Sequence, residues 1–197
     1  IKYDNQNLYY KENNGVQTTA TKSSRSLSRA SARVSPLASV LEGAEAFAGG
    51  ETRIITIDGV QYTVKNKLTT ANDLSYSKDT STGELTLIAS NFEIRGQEDV
   101  AHNLFINGGN NVVYGGNLND KIEELKSLQY NIFYGGDGDD ILTAYCADLY
   151  GDDGKDSLTI KGMSRKLYGG DGDDIFYVNS SKNSVYGDEG NDTFIIT

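Results

Sequence analysis

The chain has no tryptophan, one cysteine (Cys146) and one histidine (His102) among 197 residues. A single cysteine excludes an intrachain disulfide, which in an exported protein is compatible with stabilisation by metal instead. One His and one Cys furnish neither a zinc site nor a nucleophile–base pair. No run of eighteen apolar residues exists, so no membrane-spanning segment is expected. Positive charge is also short. Lys and Arg number 18 against 28 Asp and Glu, a net charge of −10, which argues against nucleic acid and anionic membrane surfaces as partners. The chain begins with isoleucine and shows no signal peptide, as expected of a processed product or an excised fragment.

Residues 1–50 read as a polar tail or linker rather than a docking arm, with Ser24, Ser26, Ser28 and Ser31 interleaved with Arg25, Arg29 and Arg33. Ser35-Pro36 has the form of a helix start. Leu37, Val40, Leu41, Ala44 and Phe47 follow at helical spacing, predicting one short helix at about 36–48 that Gly43 weakens. From 51 the period switches to two. Ile55 and Ile57, the Asp58-Gly59 turn, then Tyr62 and Val64 predict a hairpin, and Leu74–Lys78 with Glu84–Ser90 predict a second. Residues 51–91 are therefore expected to cap the repeats beyond them, because an open solenoid end exposes unpaired backbone.

The last third repeats one turn five times: Tyr114-Gly-Gly-Asn-Leu-Asn-Asp120, Tyr134-Gly-Gly-Asp-Gly-Asp-Asp140, Tyr150-Gly-Asp-Asp-Gly-Lys-Asp156, Tyr168-Gly-Gly-Asp-Gly-Asp-Asp174 and Tyr186-Gly-Asp-Glu-Gly-Asn-Asp192. The tyrosines fall 20, 16, 18 and 18 residues apart, a period that signals a repeat architecture. An apolar residue precedes each tyrosine (Val113, Phe133, Leu149, Leu167, Val185), and another lies two residues beyond each final Asp (Ile122, Leu142, Leu158, Phe176, Phe194). Alternate side chains of a strand face opposite sides, so both sets can line a narrow core while the tyrosines stack outside, one per coil.

These turns resemble the glycine–aspartate nonapeptide of the repeats-in-toxin (RTX) family, the haemolysin-type calcium-binding repeats. Gly135-Gly-Asp-Gly-Asp-Asp-Ile-Leu-Thr143 and Gly169-Gly-Asp-Gly-Asp-Asp-Ile-Phe-Tyr177 fit it at every defined position. The resemblance implies an all-β fold, a right-handed parallel β-roll (solenoid) over 92–197 with calcium between stacked turns, here in degenerate form. Only alternate turns keep the motif. The intervening turns, 124–131, 144–147, 160–165 and 178–183, supply neither the glycines nor the carboxylate, and they absorb the variation in period. Calcium is therefore expected along one edge only.

Calcium takes six to eight oxygens from carboxylates and carbonyls, and glycine lets consecutive carbonyls converge by admitting positive φ. The expected carboxylate ligands are Asp140, Asp156, Asp174 and Asp192. Carbonyls are expected from Gly136, Gly138, Gly154, Gly170, Gly172 and Gly190 and from the glycine-replacing Asp152 and Asp188. Asp137, Asp139, Asp171 and Asp173 should face solvent. Three Ca2+ sites result, between the 135 and 151, the 151 and 169, and the 169 and 187 turns. A fourth, using Asp120 between the 115 and 135 turns, is weakened by Leu118 in place of the middle glycine. Carboxylates about 5 Å apart repel by roughly 1 kcal/mol even at the dielectric of water, so folding should be coupled to ion binding. No Glu closes a twelve-residue loop and no Gly-Lys-Ser/Thr succeeds the glycines, which excludes an EF-hand and a phosphate-binding loop.

Cys146 and His102 read as structural. Asp192–Thr197 resembles the acidic-then-apolar end of type I secreted proteins and reads equally as a last strand. With no catalytic constellation in the chain, the expectation is a non-catalytic calcium-binding module of a secreted bacterial protein, extracellular or at the cell surface, folding on calcium after export by type I secretion. Two other readings stand beside it. One is the C-terminal part of a secreted toxin or hydrolase whose catalytic domain lies upstream. The other is a surface adhesin or self-assembling structural protein, with self-association or a host-surface partner.

Overall fold

The computed structural model describes residues 40–125 and 129–197, together with the backbone of three short strands nearer the start of the chain. Those strands, β1 (Lys2–Tyr3), β2 (Asn7–Lys11) and β3 (Gln17–Thr21), form an antiparallel sheet of their own in the order β1-β2-β3. The remainder is a second unit, all-β throughout its described residues. Among the described residues no helix is long and apolar enough to cross a membrane.

The second unit opens with β4 (Val40–Phe47), β5 (Thr52–Ile57), β6 (Val60–Asn66) and β7 (Asn72–Asp79). The helix expected at about 36–48 is absent from its described part, since 40–47 is a strand paired antiparallel with β7 from Val40↔Asp79 to Phe47↔Asn72. The start signal at Ser35-Pro36 lies outside the described residues. Tertiary pairing overrides the helical spacing because the β7 edge needs a partner for its backbone donors and acceptors. Gly43 fits the strand, where a Cβ would overlap the Tyr76 ring. Of the described side chains of the predicted stripe, Phe47 is buried and meets Phe92 edge-on at 5.3 Å, while Leu41 and Ala44 are exposed. The two predicted hairpins form, β5–β6 around Asp58-Gly59 and β7–β8, with β8 at Leu85–Ile88.

From β8 onward the chain winds as a parallel β-solenoid. One sheet continues through β10 (Asn103–Asn107), β12 (Lys121–Glu124), β14 (Ile141–Ala144), β16 (Ser157–Ile160), β18 (Ile175–Val178) and β20 (Thr193–Ile196). The other runs from β9 (Phe92–Arg95) through β11 (Val112–Gly116), β13 (Asn131–Asp137), β15 (Ala147–Asp153), β17 (Lys166–Asp171) and β19 (Ser184–Glu189). The antiparallel strands β7 and β4 extend the start of one sheet and β6 and β5 that of the other, so each sheet begins on an antiparallel strand rather than on a coil of the solenoid.

Register tracks the sequence period. Val113↔Phe133, Phe133↔Leu149 and Leu149↔Leu167 pair in one sheet, and Ile122↔Leu142, Leu142↔Leu158 and Leu158↔Phe176 in the other, all facing a continuous buried core. Each such side chain contributes about 1.5–3 kcal/mol on burial. The alternate positions carry the tyrosines outward. Tyr114, Tyr134, Tyr150, Tyr168 and Tyr186 stack with centroids 4.7, 4.6, 4.9 and 4.7 Å apart, and the Arg95 guanidinium lies 3.7 Å over the Tyr114 ring at the head of the column. Val185 is only partly buried, and Phe194 is 47% exposed although it stacks on Phe176.

Candidate metal centre

The two edges of the roll differ in how they turn. On one edge the links after β13, β15, β17 and β19 are 138–140, 154–156, 172–174 and 190–192, all the same length. On the other, the links run 125–130, 145–146, 161–165 and 179–183, and here the changes of period are taken up. The constant edge carries the glycine–aspartate turns.

Its aspartates form a ladder through the backbone. His102 N–H donates to Asp120 Oδ1 (2.6 Å), Asp120 N–H to Asp140 Oδ1 (2.6 Å), and Asp140 N–H to Asp156 Oδ1 (2.8 Å). Asp156 N–H then donates to Asp174 Oδ1 (2.7 Å) and Asp174 N–H to Asp192 Oδ1 (3.0 Å). One oxygen of each carboxylate is thus occupied. The other is not: Oδ2 of Asp120, Asp140, Asp156 and Asp174 is buried without a hydrogen-bond partner. Asp192, on the open last coil, is half-buried.

The first glycine of each turn makes room for that second oxygen. A Cβ at Gly135 would run into Asp140 Oδ2 and would lie 2.6 Å from the Gly151 carbonyl oxygen. The pattern recurs at Gly115 (Asp120 and the Gly135 carbonyl), Gly151 (Asp156 and the Gly169 carbonyl) and Gly169 (Asp174 and the Gly187 carbonyl). Each gap between coils therefore holds an unpartnered carboxylate oxygen beside a backbone carbonyl of the next coil. These first-glycine carbonyls are additional to the ligands expected from the sequence. The clue to them there is the glycine after each of the five tyrosines, a position that never turns at positive φ and so needs glycine for space.

The expected carbonyl positions take the turn geometry. Gly136, Gly138, Gly154, Gly170, Gly172 and Gly190 have φ of 109°, 117°, 145°, 113°, 139° and 136°, and Asp152 and Asp188 adopt 76° and 68° at the second-glycine position. The carbonyls of Asp152, Gly154 and Gly172 abut Gly170, Gly172 and Gly190 of the following coil, so they too face the gaps. The side chains of Asp152 and Asp188 are exposed. The turn carrying Leu118 keeps the unpartnered carboxylate oxygen, since Asp120 is 2% exposed, but a Cβ at Gly138 there would meet Leu118 C and the Asn119 amide rather than a middle-position carbonyl.

The electrostatics match. Burial pushes the Asp140 carboxyl up to about 8 and Asp156 up to about 7, the neighbouring aspartates adding to the rise, and Asp120 and Asp174 are raised chiefly by burial. A row of desolvated carboxylates calls for a cation. Among the described residues no group of three or more His, Cys, Asp or Glu converges, so a bound ion would draw most of its ligands from carbonyls. An all-oxygen, weakly anionic donor set suits a hard cation such as calcium rather than a thiolate or imidazole metal.

Asp137, Asp139, Asp171 and Asp173 are exposed. Asp139 and Asp173 do more than face solvent. Asp139 Oδ1 accepts from Lys155 N–H (3.0 Å), and Asp173 Oδ1 accepts from Asn191 N–H (3.0 Å). Lys155 Nζ also meets Asp173 Oδ2 at 2.9 Å, which holds the Asp173 carboxyl down at about 2.

The opposite edge corrects the sequence reading that its turns lack a carboxylate. Glu124 is fully buried there, its Oε2 accepting from Tyr145 N–H and Cys146 N–H (2.6 Å each) and its Oε1 from Asn131 Nδ2 (2.8 Å). It is consumed by hydrogen bonds. Asn111 and Asn131 stand where the other edge has aspartate: Phe92 N–H donates to Asn111 Oδ1 (3.0 Å) and Asn111 N–H to Asn131 Oδ1 (2.9 Å). Their amide groups donate to the carbonyls of Ala89 and Gly108.

Such an arrangement defines a class, the parallel β-roll whose acidic glycine turns stack along one edge. The family model described as the RTX calcium-binding nonapeptide repeat matches four copies, over residues 107–122, 129–145 and 166–195. The turn at Gly151–Asp156 falls between matched stretches yet keeps the same register and the same unpartnered oxygen. Comparison with curated proteins and with solved structures gave no match.

Proposed function

We propose that this chain is a non-catalytic calcium-binding module of an exported protein, folding outside the cell as calcium fills the gaps between its coils. The observation that carries this reading is the row of four buried, unpartnered Oδ2 atoms, each beside a carbonyl of the next coil. An unsatisfied buried polar group costs about 1–3 kcal/mol, more when charged. Four of them together rival the roughly 5–15 kcal/mol that holds a domain folded. Without cations this edge is strained electrostatically; with them the same oxygens become ligands. Asp120, Asp140, Asp156 and Asp174 would hold the ions, together with the carbonyls of Gly135, Gly151, Gly169 and Gly187 and those of the second and middle turn positions.

Extracellular calcium modules bind at about 10⁻⁴–10⁻³ M, so such a roll would stay unfolded in a calcium-poor cytosol and fold after export. The test is far-ultraviolet circular dichroism of the full chain during a calcium titration from chelator. A cooperative rise in β signal at submillimolar to millimolar calcium is expected. A β signal already complete in chelator and indifferent to calcium would refute the reading.

A further inference from the structure

The aspartate ladder begins on a residue that is not an aspartate. His102 lies one coil before Asp120, two residues ahead of Leu104 as Asp120 is two ahead of Ile122, and Leu104 pairs with Ile122 in register. A Cβ at Gly96 would meet the Gly115 carbonyl and His102 Nε2, just as one at Gly115 would meet the Gly135 carbonyl and Asp120 Oδ2. The imidazole Nε2 therefore stands in the place of the unpartnered carboxylate oxygen, in the first gap of the row.

Its chemistry there is opposite. Nε2 lies 2.9 Å from the Gln97 carbonyl oxygen, which can only accept, so Nε2 carries the proton. On its other side the ring places Nδ1 3.3 Å from Tyr62 Oη. The ring presents a donor, not a lone pair, to the gap. Gln97 is itself tied to the antiparallel strands, since its Oε1 accepts from Gln61 N–H (3.1 Å).

We propose that His102 closes the first gap to calcium and so fixes where the row of ions starts. The proposal rests on the calcium reading above and adds the residue that bounds it. The opposite edge uses the same device, a nitrogen donor in place of an ion. Besides Asn111 and Asn131, Asn183 Nδ2 donates to the Gly162 carbonyl at 3.1 Å.

The test counts bound calcium by titration calorimetry on the full chain and its variants. His102→Asp should bind one ion more than the wild type, and His102→Asn, which keeps a donor, the same number as the wild type. A folded His102→Asp protein with unchanged stoichiometry would overturn the proposal, as would an extra ion in His102→Asn. Wild-type protein that binds no calcium would instead refute the underlying calcium reading. Because His102→Asp loses the Tyr62 contact and can fail to fold, nitrogen NMR of the wild-type imidazole in saturating calcium provides a second readout. A ring protonated at Nε2 is the expected result; a ring bare at Nε2 would overturn the proposal.

Discussion

Asp156 does two jobs with two oxygens, and substitutions separate them. Oδ1 receives Asp140 N–H and Oδ2 is left to a cation. Asp156→Asn keeps the first function and puts an amide donor beside the Gly169 carbonyl, as Asn131 already does beside Gly108. It should raise the β signal of the chain in chelator relative to wild type and reduce the calcium stoichiometry by one. Asp156→Ala leaves the Asp140 N–H unpaired in the core and should lose about 1–3 kcal/mol in both states. Asp139→Ala, on an exposed turn, should leave stoichiometry unchanged and cost less; equal effects at 139 and 156 would refute the ligand assignment. At Gly135 the constraint is volume, since any Cβ meets the Asp140 carboxylate. Gly135→Ala should remove calcium from that gap, lowering the calorimetric stoichiometry.

At the scale of elements, the two edges predict opposite tolerance to length. The link at 179–183 belongs to the edge where links already vary, and Ser181 is exposed. Two glycines inserted after Ser181 should shift the melting midpoint only slightly, as a doubled loop costs only about 0.6 kcal/mol. The same insertion after Asp173 displaces Asp174 and the core residue Phe176, and should abolish cooperative calcium-dependent folding. Thermal melts of both variants at saturating calcium make the comparison. This asymmetry is legible in the sequence, because the Tyr-to-Asp distance is constant while the Asp-to-Tyr distance changes. The apolar registry is equally readable, a period of two repeated at fixed offsets. The features hidden from sequence depend on partners distant along the chain. Val40–Phe47 has helical spacing, and only pairing with β7 makes it a strand. Glu124 reads as an ordinary charge until the tight 145–146 link presents two N–H groups to it. His102 reads as a lone histidine because its turn lacks the glycine–aspartate motif, although its offset from Leu104 is that of the ladder.

For the whole molecule, the carboxyl shifts set a pH dependence whose sign reverses with calcium. Asp140 and Asp156 titrate in the fold at about 8 and about 7, above the ordinary carboxylate range near 4. A carboxyl raised by folding contributes stability that is present below its unfolded value and lost as pH rises through its folded one. The calcium-free chain should therefore show more β signal by circular dichroism at pH 5 than at pH 8. Calcium demands the ionised form, so its affinity should fall between pH 8 and pH 5, with protons released on binding. Calcium-free stability that rises with pH across this window would contradict the buried ladder. One further consequence lies in the column of phenols on the outer face. With no tryptophan in the chain, near-ultraviolet absorption and emission belong to tyrosine. Five of those rings stack at 4.6–4.9 Å, a spacing at which their transitions couple and their emission is quenched. Coil winding thus carries its own optical signal: tyrosine emission should dim, and near-ultraviolet dichroism appear, in step with the rise in β signal as the coils seat on one another.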